Sequence, residues 1–312
     1  MVKKKIFVIG GDMRQYYLAM KLFDKGYDIA CYGMKRLEEE KNVEVPETLA
    51  LGMVDNGVIL LPVPVLQDNL QIKSTEKKIL LKELEDSIRK GQIVFGGNLP
   101  KSLIQVCKEK EAICVDYMNL DEVTVENAQV TAEGAILEAA LLGNIRMQNS
   151  NCLVIGFGKC GEALAQKLSA WGAVVTIMAR SKEARSKAEA YGYYTRDMFG
   201  KERELKTDKE KEQEKEIAKR IKYQFVFNTV PAMVLDKKAV DIILTDRGKE
   251  EYPIIVDIAS LPGGVDFEYC REKEVKAEIH QGIPGKYAPK TAGVILAKAV
   301  LNRIENSSCT NK

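Results

Sequence analysis

The sequence predicts an α/β protein made of two parallel-sheet halves, and three observations carry that prediction. Short apolar strands alternate with segments of helical period in each half. A long alanine-rich helical segment separates the two series. The opening of the first half, VIGGDMRQ (Val8 to Gln15), returns as VIGFGKCG (Val154 to Gly161) at the head of the second.

A chain of 312 residues is long enough for two cores of ordinary size. Its 47 Lys and Arg nearly cancel 45 Asp and Glu, so no field of one sign is expected to draw nucleic acid or membrane, and small ligands are the expectation. Seven scattered cysteines without a C-x-x-C pair fit a reducing cytoplasm rather than a disulfide framework or a zinc site. With a single histidine, no metal site is expected. The start MVKKKIFVIGG is broken at Gly10 and Gly11, too early for the apolar core of a signal peptide, and reads as a lysine-flanked first strand. No run of about 18 apolar residues would span a membrane.

In the first half, strands are expected at 5–9, 28–32, 58–61, 93–95 and 112–116. Pro100 suits a first helical position ahead of Leu103, Ile104 and Cys107. A connector helix follows over about 126–148, with Ala128, Ala132, Ala135, Ile136, Ala139 and Ala140 on one face. The second series has strands at 152–155, 174–179, 224–228, 254–257 and 275–279. Between them, residues 201–222 are almost all charged, with both signs mixed, and read as an inserted surface helix. Its oriented pairs Glu202 with Lys206 and Glu216 with Arg220 are each worth only ~0.2 to 0.5 kcal/mol. The last helix, from 289, carries Val294, Ile295, Ala297, Val300 and Leu301 at helical spacing and is expected to pack back across the molecule, with a frayed tail. The expected domains are therefore 1–120, a connector at 121–148, 149–288, and a return helix and tail at 289–312.

A shift of 146 positions carries Gly10 onto Gly156, Ala19 onto Ala165, Leu22 onto Leu168 and Gly26 onto Gly172. The two openings differ at the positions that matter for a nucleotide. In G-x-G-x-x-G the first glycine makes the tight turn, the second lets backbone approach a pyrophosphate, and the third lets helix and strand pack closely. Gly156, Gly158 and Gly161 supply all three around Lys159 and Cys160, whereas the first copy has Asp12 and Gln15 at the second and third places. A carboxylate there would crowd and repel a pyrophosphate at the positive end of the helix. The sequence therefore predicts two Rossmann-like domains, with the dinucleotide in the second and a substrate role for the flavodoxin- or Rossmann-like first.

The end of the next strand selects the nucleotide. An NAD site places Asp or Glu there, about 20 residues on, to bind the ribose 2′-hydroxyl. This chain has Arg180, Ser181 and Lys182 instead. Arg180 is able to fork onto a 2′-phosphate, with Ser181 as a donor beside it, so NADP is the expected cofactor. Three further loops follow predicted strands: NTVPAM (Asn228, Thr229, Val230, Pro231), DIASLPGG (Asp257, Ala259, Ser260) and GIPGKYAPKTAG (282–293). As generic turns they need no function. Together they surround the place where a nicotinamide ring is expected.

These loops, with NAQVTAEGAI (127–136) on the connector, resemble the A-subunit family of dipicolinate synthase, and the matching motifs run in order along nearly the whole chain. The resemblance implies oxidation of dihydrodipicolinate to the aromatic dicarboxylate dipicolinate, with NADP as hydride acceptor, during sporulation in the mother-cell cytoplasm. It implies the flavoprotein-like B-subunit of dipicolinate synthase as partner, and a homo- or hetero-oligomer. The run at 201–222 looks longer than the family usually carries, and His280 falls outside the matching motifs.

A dicarboxylate calls for cationic forks or helix N-termini. Arg14, Asn98, Lys290 and Thr291 are the candidate substrate contacts. Glu133, a carboxylate among alanines on what reads as a packed face, is the candidate proton acceptor, with Thr131 and Lys290 as further candidate catalytic groups; a buried, paired structural acid is the equal alternative. His280 titrates in the right range but reads as structural. Two other readings remain: a 2-hydroxyacid or alanine-type dehydrogenase, and a non-catalytic NADP-binding scaffold for the flavoprotein-like partner.

Overall fold

Strand β1 (Ile6–Ile9) is four apolar residues in a row, all buried, as befits a strand covered on both faces. It lies at the centre of a six-stranded parallel sheet in a computed structural model that describes residues 5–54, 57–198, 222–245 and 248–309. The described chain divides into two compact units, Met1–Asn127 with Pro284–Lys312, and Ala128–Ile283.

In the first unit, α1 (Met13–Asp24) leads to β2 (Ile29–Tyr32), α2 (Lys35–Glu38), β3 (Val43–Glu44), α3 (Leu49–Val54) and β4 (Val58–Leu60). A small antiparallel hairpin, β5 (Gln71–Ile72) with β6 (Ile79–Leu80), precedes α4 (Leu81–Ser87), β7 (Ile93–Gly96), α5 (Lys101–Glu109) and β8 (Ile113–Asp116). The sheet order is β3-β2-β1-β4-β7-β8. Setting the hairpin aside, that is the 3-2-1-4-5-6 order of a dinucleotide-binding sheet, which reverses direction next to β1.

The long helix α6 (Asp121–Gly143) enters the second unit. It starts and stops about five residues earlier than the periodicity predicts. Asp121 and Glu122 favour its positive N-terminus, and Asn144 adopts a left-handed φ of 52° that ends it after Gly143. Then come β9 (Asn151–Ile155), α7 (Lys159–Ala170), β10 (Val174–Met178), α8 (Lys182–Ala190), β11 (Tyr194–Arg196), β12 (Phe225–Asn228), α9 (Lys237–Leu244), β13 (Ile254–Asp257), α10 (Phe267–Glu272) and β14 (Ala277–Ile279). All pairings are parallel, in the order β11-β10-β9-β12-β13-β14, the same 3-2-1-4-5-6 pattern. One core cluster joins the alanine face of α6 to Val154, Leu164 and Phe227; a second, around Leu153, Tyr223, Val240 and Ile255, fills the opposite side. Helices α11 (Ile283–Tyr287) and α12 (Pro289–Cys309) return the chain to the first unit, where α12 packs on α1. Gly293 permits that crossing, since a Cβ there would fall 2.8 Å from Tyr17 Cβ.

The short strands β3, β5, β6 and β11 carry too few residues for a period to show, and the sequence predicts none of them. The charged run at 201–222 lies outside the described residues apart from Lys222. Among the described residues no helix is long and apolar enough to cross a membrane, and no cluster of metal-ligating side chains occurs.

Candidate functional site

The turn between β9 and α7 has the three glycines in three different surroundings. Gly156 adopts φ +93°, and a Cβ on it would run into Thr229 Oγ1. Gly161 is packed so closely that a Cβ would collide with the Gly156 carbonyl oxygen. Gly158, the N-cap of α7, has nothing within 4 Å of that position, so the backbone there faces open space. These are the tight turn, the close helix contact and the bare approach that a pyrophosphate requires. Lys159 and Cys160 open the helix, Lys159 exposed and Cys160 half-buried. Thr229 braces the turn by donating from Oγ1 to the Ile155 carbonyl at 2.8 Å.

At the end of β10, Arg180 is exposed and Ser181 accepts from the Ala184 N–H at 3.1 Å to cap α8. No carboxylate stands at this strand end, where a 2′-hydroxyl would need one. Sequence reasoning misses what lies beneath. Arg185 is buried and its Nη1 donates to the carbonyls of Ala179 (2.5 Å) and Arg180 (3.0 Å) while contacting Asp197 Oδ1 at 3.1 Å. Its one sequence signal is a spacing of three from Ala188, another buried residue of the same helix.

Two residues expected to touch the cofactor turn inward instead. Asn228 and Asp257 are fully buried neighbours at the ends of β12 and β13. The Asn228 Nδ2 donates to Asp257 Oδ1 at 2.9 Å and to the Val230 carbonyl, and its Oδ1 accepts from the Val230 N–H. Asp257 also accepts from the N–H groups of Ala259 (2.9 Å) and Gly264 (2.7 Å). The pair is a latch that fixes the NTVPAM and DIASLPGG loops, because a buried carboxylate at a strand end must collect backbone donors. What those loops leave exposed is Pro231, Ser260 and an apolar lip, with Met233 61% and Leu261 73% accessible. Ala259 is buried beneath it.

The matching turn of the first unit is closed. Asp12 caps α1 by accepting the Arg14 N–H, and its two oxygens take Arg14 Nε and Nη2 at 2.9 and 2.7 Å. Lys73, from the hairpin segment, adds its ammonium to Asp12 at 2.8 Å, and its carbonyl accepts the Gly11 N–H at 2.7 Å. Burial pushes the Asp12 carboxyl up, but Arg14 and Lys73 together outweigh it and hold the group well below the usual carboxylate range. Gln15 occupies the third-glycine position with its amide on the Leu61 carbonyl at 3.0 Å. Arg14 is therefore no solvent-facing fork: it is buried, it also donates to the Val63 carbonyl, and a Cβ on Gly285 would lie 2.8 Å from its Nε. Asn98 is exposed with a left-handed φ of 53°, and Asp116 accepts its N–H; Lys290 and Thr291 are exposed in the first turn of α12.

Glu133 is not on the packed face of α6. Ala132, Gly134 and Ala135 are buried, whereas Glu133 points out, pairing with Lys167 at 2.9 Å with 65% of its side chain exposed. Thr131, on the same helix, is half-buried. His280 is buried between carboxylates, Nδ1 at 2.9 Å from Glu138 and Nε2 at 3.3 Å from Glu278.

Residues 5–118 match the family model for the N-terminal domain of the dipicolinate synthase A-subunit. The chain is 28% identical over 302 residues to the dipicolinate synthase A-subunit of Bacillus subtilis, covering 95% of this chain and 94% of that one. The crystal structure of that protein superposes with a TM-score of 0.80 at 26% identity, over 100% of this chain and 99% of the other. The dipicolinate synthase A-subunit of Bacillus halodurans gives 0.78 at 26% identity, over 97% and 98%. A transhydrogenase from Sinorhizobium meliloti, 13% identical with a TM-score of 0.60 over 97% and 94%, shares the fold.

Proposed function

We propose that this chain, which resembles the dipicolinate synthase A-subunit in sequence and fold along its length, oxidises dihydrodipicolinate to dipicolinate and passes the hydride to NADP bound by its second unit. The observation that carries the cofactor half of the reading is the pairing of an open Gly158 with an exposed Arg180 where an NAD site would hold an acid. The residues fit the group: α7 starts at the open Gly158 with no side chain capping its first N–H groups, and Arg180 with Ser181 offers donors to a 2′-phosphate. When bound, the nicotinamide supplies the hydride acceptor.

Aromatising a dihydropyridine removes a hydride from one ring carbon and a proton from another, and the products are dipicolinate, NADPH and H⁺. The chain's part is to hold the ring and keep water out. The exposed apolar lip of Met233 and Leu261, fixed by the Asn228–Asp257 latch, supports that role. Of the substrate candidates, Lys290 and Thr291 keep exposed side chains at the start of a long helix, suited to a carboxylate. Arg14, buried and engaged by Asp12 and Val63, is the weaker candidate. Lys290 and Thr131 stay candidate catalytic groups; Glu133, the candidate proton acceptor, would have to act from an exposed ion pair. A 2-hydroxyacid or alanine-type dehydrogenase, which usually relies on a fixed His or Lys acid-base group, is disfavoured because the single histidine, His280, is buried against Glu138 and Glu278. The chain is proposed to work with the flavoprotein-like B-subunit in the mother cell.

The test is the purified chain with dihydrodipicolinate and either NADP or NAD. NADPH formed by the chain alone supports the reading and eliminates the scaffold alternative. Turnover with NAD equal to that with NADP rejects the cofactor assignment, and no turnover with or without the B-subunit rejects the reaction.

A further inference from the structure

We propose that Arg185 is a positioning residue for recognition of the nucleotide's 2′-phosphate: it pins the backbone of residues 179 and 180 and thereby aims the Arg180 side chain. The inference rests on the NADP reading above. At the end of β10 the chain leaves the sheet. The Ala179 N–H still reaches the Arg196 carbonyl at 3.2 Å, but the next two carbonyls have lost their ladder partners. Buried carbonyls need donors, and a loop that supplied none would swing to find water.

Arg185 supplies them. The residue is 8% exposed, and its guanidinium meets both carbonyls from one nitrogen at 2.5 and 3.0 Å. The planar group holds these acceptors in a fixed relation that a flexible ammonium would not. Asp197 balances its charge at 3.1 Å and is itself held by the Met198 N–H at 2.9 Å. Ser181 adds a third pin by capping α8. With backbone fixed on the inner side, the Arg180 side chain is left outside. Because Asp197 neutralises Arg185 locally, what Arg185 contributes is geometry rather than field. Its loss should therefore reduce discrimination for the 2′-phosphate and spare the rest of the nucleotide.

Calorimetric titration of the full chain with adenosine 2′,5′-bisphosphate and with adenosine 5′-monophosphate reads this directly. The native chain is expected to prefer the bisphosphate, and Arg180→Ala to remove the preference. Arg185→Met should weaken the bisphosphate about tenfold, the loss of a charge-assisted bond, and leave the monophosphate within about twofold. Arg185→Lys should fall between. The inference is overturned if Arg180→Ala removes the preference while both Arg185 variants keep it, or if the Arg185 variants weaken both ligands by the same factor. A preference that survives Arg180→Ala also overturns the inference, because Arg180 then does not read the phosphate; a native chain with no preference for the bisphosphate rejects the NADP reading itself, a separate failure. Should Arg185→Met not fold, Arg185→Lys decides by the same two ratios.

Discussion

The turn at Gly10–Gln15 and the turn at Gly156–Gly161 share a strand, a helix and even a helix ending, since Gly26 and Gly172 both adopt left-handed φ near 80° after the same cap pattern. One is full and the other is open. In the first unit the place of a phosphate is taken by a carboxylate with two cations around it, and a hairpin carbonyl has already accepted the Gly11 N–H. In the second unit no side chain stands within 4 Å of the Gly158 Cβ position. The comparison teaches that strand order and backbone shape make an anion site possible, while one side chain and one inserted hairpin decide whether a ligand enters.

The largest effect should come from making the open turn resemble the closed one. Gly158→Asp places a carboxylate where nothing crowds it, so the fold should tolerate it with less than about 1 kcal/mol lost. Nucleotide affinity should fall by at least about 100-fold, near 2.7 kcal/mol, because the new charge opposes a pyrophosphate at a helix N-terminus. Calorimetry together with thermal melting checks both halves. Undiminished affinity would mean that the nucleotide does not use this turn.

Next is the latch, which organises the loops of the second unit. Asp257→Asn replaces one acceptor oxygen by an amide that cannot receive an N–H, so either Gly264 or Ala259 loses its partner in a buried place. A loss of about 1 to 3 kcal/mol is expected in denaturant unfolding. Nucleotide binding should weaken with it as the loops relax.

Much of the comparison is legible in the sequence. The repeat, the strand ends and the three glycines follow from spacing, and both parallel sheets follow from alternation. The occupants do not. Nothing local says that Asp12 closes on Arg14 or that a segment some sixty residues later reaches Gly11 and Asp12, because the hairpin strands are two residues each and carry no period. Asn228 and Asp257 look like loop residues ready for a ligand, and only the register of β12 with β13 shows them facing one another. Glu133 misleads for a related reason: its neighbours Ala132, Gly134 and Ala135 are buried, and only the helix's rotation shows that residue 133 turns away from them.

A smaller effect separates the turns by pH. The Asp12 carboxyl is depressed in the folded chain because Arg14 and Lys73 outweigh its burial. Its charge therefore stabilises the first unit at neutral pH, and that contribution is lost as pH falls from about 4, the unfolded value, toward the lower folded one. Stability of the native chain should drop through this acid window, and Asp12→Asn should flatten the drop while lowering stability at pH 7. Melting curves across pH 2 to 7, taken as about the accessible range, decide it; an unchanged acid limb in the variant would show that Asp12 is not the group responsible.

The smallest effect concerns Lys73, and it tests whether charge or coverage keeps the first turn closed. Its ammonium is partly exposed, so Lys73→Met should cost no more than about 0 to 1 kcal/mol at neutral pH. The acid limb should nevertheless move to higher pH, because Asp12 loses one of the two cations that hold it down. The backbone of residue 73 keeps its grip on Gly11 in that variant, and a carbonyl there would repel phosphate as the carboxylate does. Neither Lys73→Met nor Asp12→Gly should therefore create a nucleotide site in the first unit. Tight binding of a second nucleotide by Asp12→Gly would show that the carboxylate alone excludes it and that the hairpin is only a bystander.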